Sequence, residues 1–187
     1  TGAMLHICRI SSAAAVDMIR AAKREGLKVT CDVSMNHVHL TELDIGYFDA
    51  NCHLVPPLRS LRDKAGLRAG LLDGTIDAIC SNHSPVDDDA KQLPFAEAED
   101  GATGLELLLP LVLKWAEQEK VPLLDALSCV TINPAQLLGQ KMGHLSVGAH
   151  ADICMFNPKT SWKVEPAALK SQGKNTPFNG YEMLGRV

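Results

Sequence analysis

The run Thr75 to Ser81 (TIDAICS) reads as a strand and leads directly into Asn82-His83-Ser84-Pro85. Polar side chains bunched just past a strand end are where parallel α/β sheets place their sites. An imidazole there serves as a metal ligand or an acid–base group near neutral pH, whereas an amide donates and accepts hydrogen bonds but takes up no proton. A second concentration lies between Met35 and Pro57, where Asn36, His37, His39, Asn51 and His53 precede Pro56-Pro57. A long irregular segment of this kind is more often functional than idle. Six cysteines (Cys8, Cys31, Cys52, Cys80, Cys129, Cys154) stand mostly inside apolar runs with no CxxC pair, so they read as reduced, buried small hydrophobes rather than disulfides or a zinc knuckle.

The elements that position these groups follow from periodicity and punctuation. Met4 to Ile10 is a short β-rich run, Ser11-Ser12 a capping signal, and Ala13 to Glu25 an Ala-rich helix stopped by Gly26. Leu27 to Ser34 reads as a second strand, so the opening residues form a βαβ unit with parallel strands and a right-handed crossover. Arg59 to Asp73 is helical and closed by Gly74, with Thr75 to Ser81 the third strand. Apolar residues at Leu105, Leu108, Leu109, Val112, Leu113 and Ala116 have the spacing of an amphipathic packing helix over 104–118. Leu123 to Leu138 is helical and broken around Asn133-Pro134. Gly143 to Asn157 carries glycine turn markers and then an apolar strand, the start of a small β element.

The chain has 187 residues, 46% of them hydrophobic and 21% charged, with a formal net charge of −4. That is enough apolar material for one core, and it offers no basic patch for nucleic acid or an anionic membrane. No apolar stretch reaches the roughly 18 residues of a membrane span, and the first residues lack a basic signal-peptide region. A cytoplasmic location is the expectation. Three parallel strands cannot close a barrel and leave open edges, which predicts either a fragment or a partner.

Six stretches together resemble the dihydroorotases, cyclic amidohydrolases of pyrimidine synthesis. They are LHICRISS (5–12), PPLRSLRD (56–63), DGTIDAICSNHSP (73–85), GATGLELLLPL (101–111), TINPAQLLG (131–139), and GHLSVGAHADICMF (143–156) through NTPFNGYEMLGRV (175–187). Order and spacing hold from end to end. The resemblance implies the C-terminal part of a (β/α)8 barrel over 1–139, supplying about its sixth to eighth strands, and part of a small β-sandwich over 140–187. It also implies one or two zinc ions at the barrel mouth, with further ligands in a half of the barrel outside this chain.

At the family's functional positions this chain departs from the pattern. The sixth strand of the family ends in a histidine ligand (HxCHxS), and here that position is Arg9, which has no lone pair to give a metal. His6 is three residues away, so strand alternation points it away from the mouth if Arg9 points in. The eighth strand ends in a catalytic aspartate (TDHAP), and here that position is Asn82, which removes an anionic ligand and the general base. Asp87 to Asp89 lie in a loop, a poor place for a precise ligand. The asparagine before Pro-Pro-Leu-Arg is replaced by Val55, while Arg59 is kept. The TPHHL loop is replaced by Ser34-Met35-Asn36-His37-Val38, where His37 reads as a retained substrate-side residue, a hydrogen-bond donor or a surface residue. Gly101, Gly104 and Gly148 are read as turn positions.

The resulting expectation is a catalytically inactive dihydroorotase-like protein that binds no metal of its own and supports aspartate transcarbamoylase, the enzyme whose product is the family's substrate. The alternatives are an active zinc-dependent cyclic amidohydrolase that hydrolyses dihydroorotate to carbamoyl aspartate, and a folded fragment with no activity.

Overall fold

The computed structural model describes residues 2–187. Strands β1 (Leu5–Ile7), β2 (Val29–Ser34) and β3 (Ala78–Cys80) form one parallel sheet in that order. Cys31 and Val33 of β2 and Ile79 of β3 share a core with Val16 and Ile19 of helix α1 (Ala13–Arg24) and Leu67 and Leu71 of helix α3 (Leu61–Leu72). The period of two then turns Thr30 and Asp32 to the opposite face, and His6 pairs in register with Thr30. One face of the sheet is greasy and helix-covered, and the other is polar.

Capping explains where the two helices begin. Ser12 Oγ accepts from the Ala15 amide. At α3, Ser60 and Asp63 form a reciprocal capping box, and Asp63 also accepts from the Ala13 amide at the start of α1. The two helices touch at Gly66, where a Cβ would lie 2.6 Å from the Cβ of Ala13. Asp77 ties the layers together: it pairs with Lys23 of α1 at 2.7 Å, accepts from the Cys31 amide, and its carbonyl accepts from Asn133 Nδ2.

Beyond β3 the chain is mostly helical. Helices α4 (Leu108–Glu119), α5 (Leu123–Ser128) and α6 (Ile132–Leu137) precede a two-stranded antiparallel sheet of β4 (Asn157–Lys163) and β5 (Glu182–Arg186). Several expectations are corrected here. The apolar residues of 143–156 form no strand; β4 begins at Asn157, nine residues after Gly148. Pro134 does not break a helix but lies in the first turn of α6, where its lacking N–H costs nothing. Leu105 is exposed, and the buried stripe is Leu107, Leu111, Val112, Trp115 and Ala116, because α4 has apolar residues on two faces and also packs against β5. Cys8 and Cys154 are exposed, although all six cysteines are free as expected. Among the described residues, no helix is long and apolar enough to cross a membrane.

The Met35–Pro57 segment is more ordered than its composition suggests. Ser34 accepts from the Asn36 amide and opens helix α2 (Met35–His39). His39 Nε2 lies 2.9 Å from the Leu111 carbonyl, to which it donates, and Phe178 meets the ring edge-on. Burial is the largest influence on His39 and pushes its pKa down to about 3. The unfolded chain therefore binds one more proton here between about pH 6.5 and 3, so this contribution to stability is complete above pH 6.5 and is lost as pH falls. His39→Gln is expected to flatten the acid limb of stability in that window by up to about 1.4 kcal/mol per pH unit, read by urea unfolding at successive pH values.

Candidate functional site

Strand β1 stops at Ile7, and two residues later Arg9 takes a left-handed backbone conformation, φ +53°. For a side chain with a Cβ this costs on the order of 1 kcal/mol, and here it is held by the Arg9 amide donating to Asp32 Oδ1 at 2.9 Å. The turn breaks strand alternation. His6 and Arg9 consequently meet on one carboxylate: His6 Nε2 lies 2.9 Å from Asp32 Oδ2, while the Arg9 amide holds Oδ1. The expectation that His6 points away from the site is thus corrected, because alternation ended before Arg9.

At the end of β3, Asn82 is also left-handed, φ +46°, a conformation asparagine tolerates well. Arg9 Nη1 donates to Asn82 Oδ1 at 3.0 Å, and Asn82 Nδ2 donates to the Val55 carbonyl at 3.4 Å. The two positions singled out from sequence are therefore in direct contact and closed on each other. Val55 joins them through its backbone, while its side chain is exposed and precedes a cis peptide bond to Pro56. Arg59 Nε lies 3.4 Å from Ser11 Oγ and is apart from the Arg9–Asn82 pair in its hydrogen bonds.

His37 is buried and donates from Nε2 to the Pro57 carbonyl at 3.1 Å, so it is a hydrogen-bond donor and not a surface residue. Burial holds its pKa below the ordinary histidine value. Its Nδ1 and the neighbouring Asn36 Nδ2 are buried without hydrogen-bond partners. Asp87 to Asp89 lead into a single 3-10 turn at Asp89–Lys91 and make no hydrogen bond to Arg9 or Asn82.

At this site Asp32 and Thr30 were not singled out by sequence, and Cys8 was read only as a buried small hydrophobe. Asp32, Cys8 and Thr30 lie on the polar sheet face with His6; their strand spacing of two was the available signal. Thr30 Oγ1 is 2.8 Å from His6 Nδ1. His83 Nδ1 accepts from the amides of Gly104 and Leu105, clamping that loop over the end of β3. Gly104 is required there, since a Cβ would fall 2.5 Å from the Ser81 carbonyl oxygen. Burial, followed by the charge of Asp32, pushes the Cys80 thiol up to about 12, which keeps it neutral.

A parallel sheet whose strand ends gather His, Asp, Arg and Asn around one polar face is the arrangement in which α/β barrels build their sites. The amidohydrolase family model matches residues 2–181, and the chain belongs to the amidohydrolase family. Similar relatives are the dihydroorotase of Geobacter sp. (strain M21), 42% identical over 186 residues, and that of Syntrophus aciditrophicus (strain SB), 41% identical over 187 residues. All of this chain, and 44% of each of those proteins, is covered, so the chain spans less than half the length of the curated relatives it matches. Among solved structures, the L-hydantoinase (dihydropyrimidinase) from Arthrobacter aurescens superposes with TM-score 0.91 at 27% identity, covering 98% of this chain and 42% of that one. The dihydropyrimidinase from Brevibacillus agri NCHU1002 has the same fold, with TM-score 0.90 at 23% identity over 100% of this chain and 42% of that one. The three-stranded sheet is thus a portion of a larger amidohydrolase barrel.

The family implies a metal at the strand ends, and the Arg9–Asn82 pair does not fit one. A guanidinium offers no lone pair, brings a fixed positive charge, and already occupies the Asn82 carbonyl oxygen that a cation would need. No chemistry is assigned to a metal at that position.

Proposed function

We propose that this chain is the C-terminal part of a dihydroorotase-like protein of pyrimidine biosynthesis that does not hydrolyse dihydroorotate and acts as a structural partner of aspartate transcarbamoylase. In this reading β1, β2 and β3 are the sixth, seventh and eighth barrel strands, residues 1–139 belong to the barrel, residues 140–187 belong to the sandwich, and the protein is cytoplasmic. The observation that carries it is the 3.0 Å hydrogen bond from Arg9 to Asn82 at the strand ends, where the family pattern has a ligand and a base. An arginine cannot relieve an amide of a proton, and an amide cannot activate water, so the pair offers no route to a nucleophile.

The roughly 40% identity to dihydroorotases along the entire chain supports a second reading, an active zinc-dependent hydrolase. The deciding experiment is dihydroorotate hydrolysis and carbamoyl aspartate cyclisation by the full-length protein, with co-elution from aspartate transcarbamoylase measured in parallel. The expected result is turnover at background together with a stable complex. Turnover by the unmodified protein would overturn the inactive reading, and independent elution of the two proteins would overturn the partnership.

A further inference from the structure

The polar face of the sheet holds a second constellation that owes nothing to the Arg9 and Asn82 side chains. His6, Cys8 and Asp32 bring an imidazole nitrogen, a thiol sulfur and a carboxylate oxygen within 4.8 Å of one another. Within this part of the barrel the side chains of His6 and Asp32 are 33% and 13% exposed. Around a tetrahedral zinc, donor atoms lie about 3.3–3.6 Å apart.

We propose that His6 Nε2, Cys8 Sγ and Asp32 Oδ2 form a three-ligand site for a divalent cation of borderline softness, of the zinc and cobalt class. The donor set suits that class: one thiolate and one carboxylate neutralise a dication, and a nitrogen completes three protein ligands.

The surroundings are arranged as ligand supports. Thr30 Oγ1, 2.8 Å from His6 Nδ1, stands ready to accept an Nδ1 proton and so supports the tautomer whose Nε2 lone pair faces a metal, in place of the one that now donates from Nε2 to Asp32. The Arg9 amide fixes Asp32 Oδ1 and so presents Oδ2. On binding, the Cys8 thiol releases its proton to solvent, the His6 proton leaves Nε2 to solvent while Nδ1 takes one up from solvent and donates it to Thr30 Oγ1, and the His6–Asp32 hydrogen bond gives way to two metal bonds. No electron changes hands. The register supplies the geometry: His6 stands beside Thr30, and Asp32 is one step further along the same face.

The test is cobalt titration of the full-length protein after metal removal. The unmodified protein is expected to develop a near-ultraviolet thiolate-to-cobalt absorption that saturates at one ion per chain. Cys8→Ser is expected to abolish that band and weaken zinc at least tenfold in competition with a chromophoric chelator. Thr30→Val keeps the three ligands and is expected to weaken zinc by about 10–100-fold. Cys80→Ser is expected to retain the band. Absence of the band in the unmodified protein, or its survival in Cys8→Ser, would overturn the site. The Arg9→His, Asn82→Asp variant is expected to leave the band in place. Turnover by the unmodified protein would defeat the functional proposal above without touching this one, and loss of the band would do the reverse.

Discussion

Asn82→Asp alone is expected to leave dihydroorotate hydrolysis at background, whereas Arg9→His together with Asn82→Asp is expected to raise it by at least about 10²-fold, the lower end of what a positioned base contributes. The reason is the present contact. Arg9 Nη1 already lies 3.0 Å from Asn82 Oδ1, so a carboxylate introduced at 82 would be paired with a guanidinium on arrival. An opposite charge at that distance lowers a carboxylate's pKa and makes it a weaker base. Removing Arg9 frees the carboxylate and restores a neutral nitrogen donor at the same strand end. The measurement is initial-rate hydrolysis by the full-length protein and its two single and one double variants. Equal rates in the Asn82→Asp single and the double variant would show that Arg9 does not block the site.

The largest loss of stability is expected at Asn175, in the segment NTPFNG. Its side chain is 5% exposed and makes four hydrogen bonds. Nδ2 donates to the carbonyls of Ser84 and Gly101 at 3.0 and 3.1 Å, and Oδ1 accepts from the Val86 amide and Thr103 Oγ1 at 3.1 and 3.2 Å. The backbone carbonyl of Asn175 accepts from the Thr103 amide as well. One amide thus joins the tail to the loop after β3 and to the 101–103 turn. Asn175→Ala strands several buried polar groups, each costing about 1–3 kcal/mol when unpaired, for a total of about 3–5 kcal/mol. Asn175→Asp is expected to be as damaging, because it puts an acceptor where two carbonyls need a donor. Urea unfolding of the full-length protein, with the exposed Lys159→Ala changing stability by less than about 0.5 kcal/mol, reads the difference.

Much of the scaffold was legible in the residues because it depends on local rules. Serines 12 and 60 mark helix starts because a hydroxyl satisfies an orphan amide, and the alternation through Cys31, Asp32 and Val33 assigns the faces of β2. The tail was less legible: the apolar residues of 143–156 have strand-like composition, but a strand needs a partner, and β5 pairs instead with 157–163. The α4 stripe was shifted because an element packed on two sides has no single apolar face to read.

For the candidate site, composition at Arg9 and Asn82 was enough to show that the guanidinium has no lone pair for a metal and that the amide is no general base, since that follows from functional groups alone. Whether they meet, and whether His6 joins them, was not determined by residue spacing. The left-handed turn at Arg9, held by the carboxylate of Asp32 from the neighbouring strand, reverses the direction that alternation assigns. The sequence by itself therefore determined the α/β scaffold, its helix starts and the chemistry absent at two strand ends, because these depend on local periodicity and on side-chain functional groups. Only the tertiary structure decided that Arg9 closes on Asn82 across 73 positions and that His6, Cys8 and Asp32 converge, because strand register and a cross-strand hydrogen bond are properties of pairing that no single segment encodes.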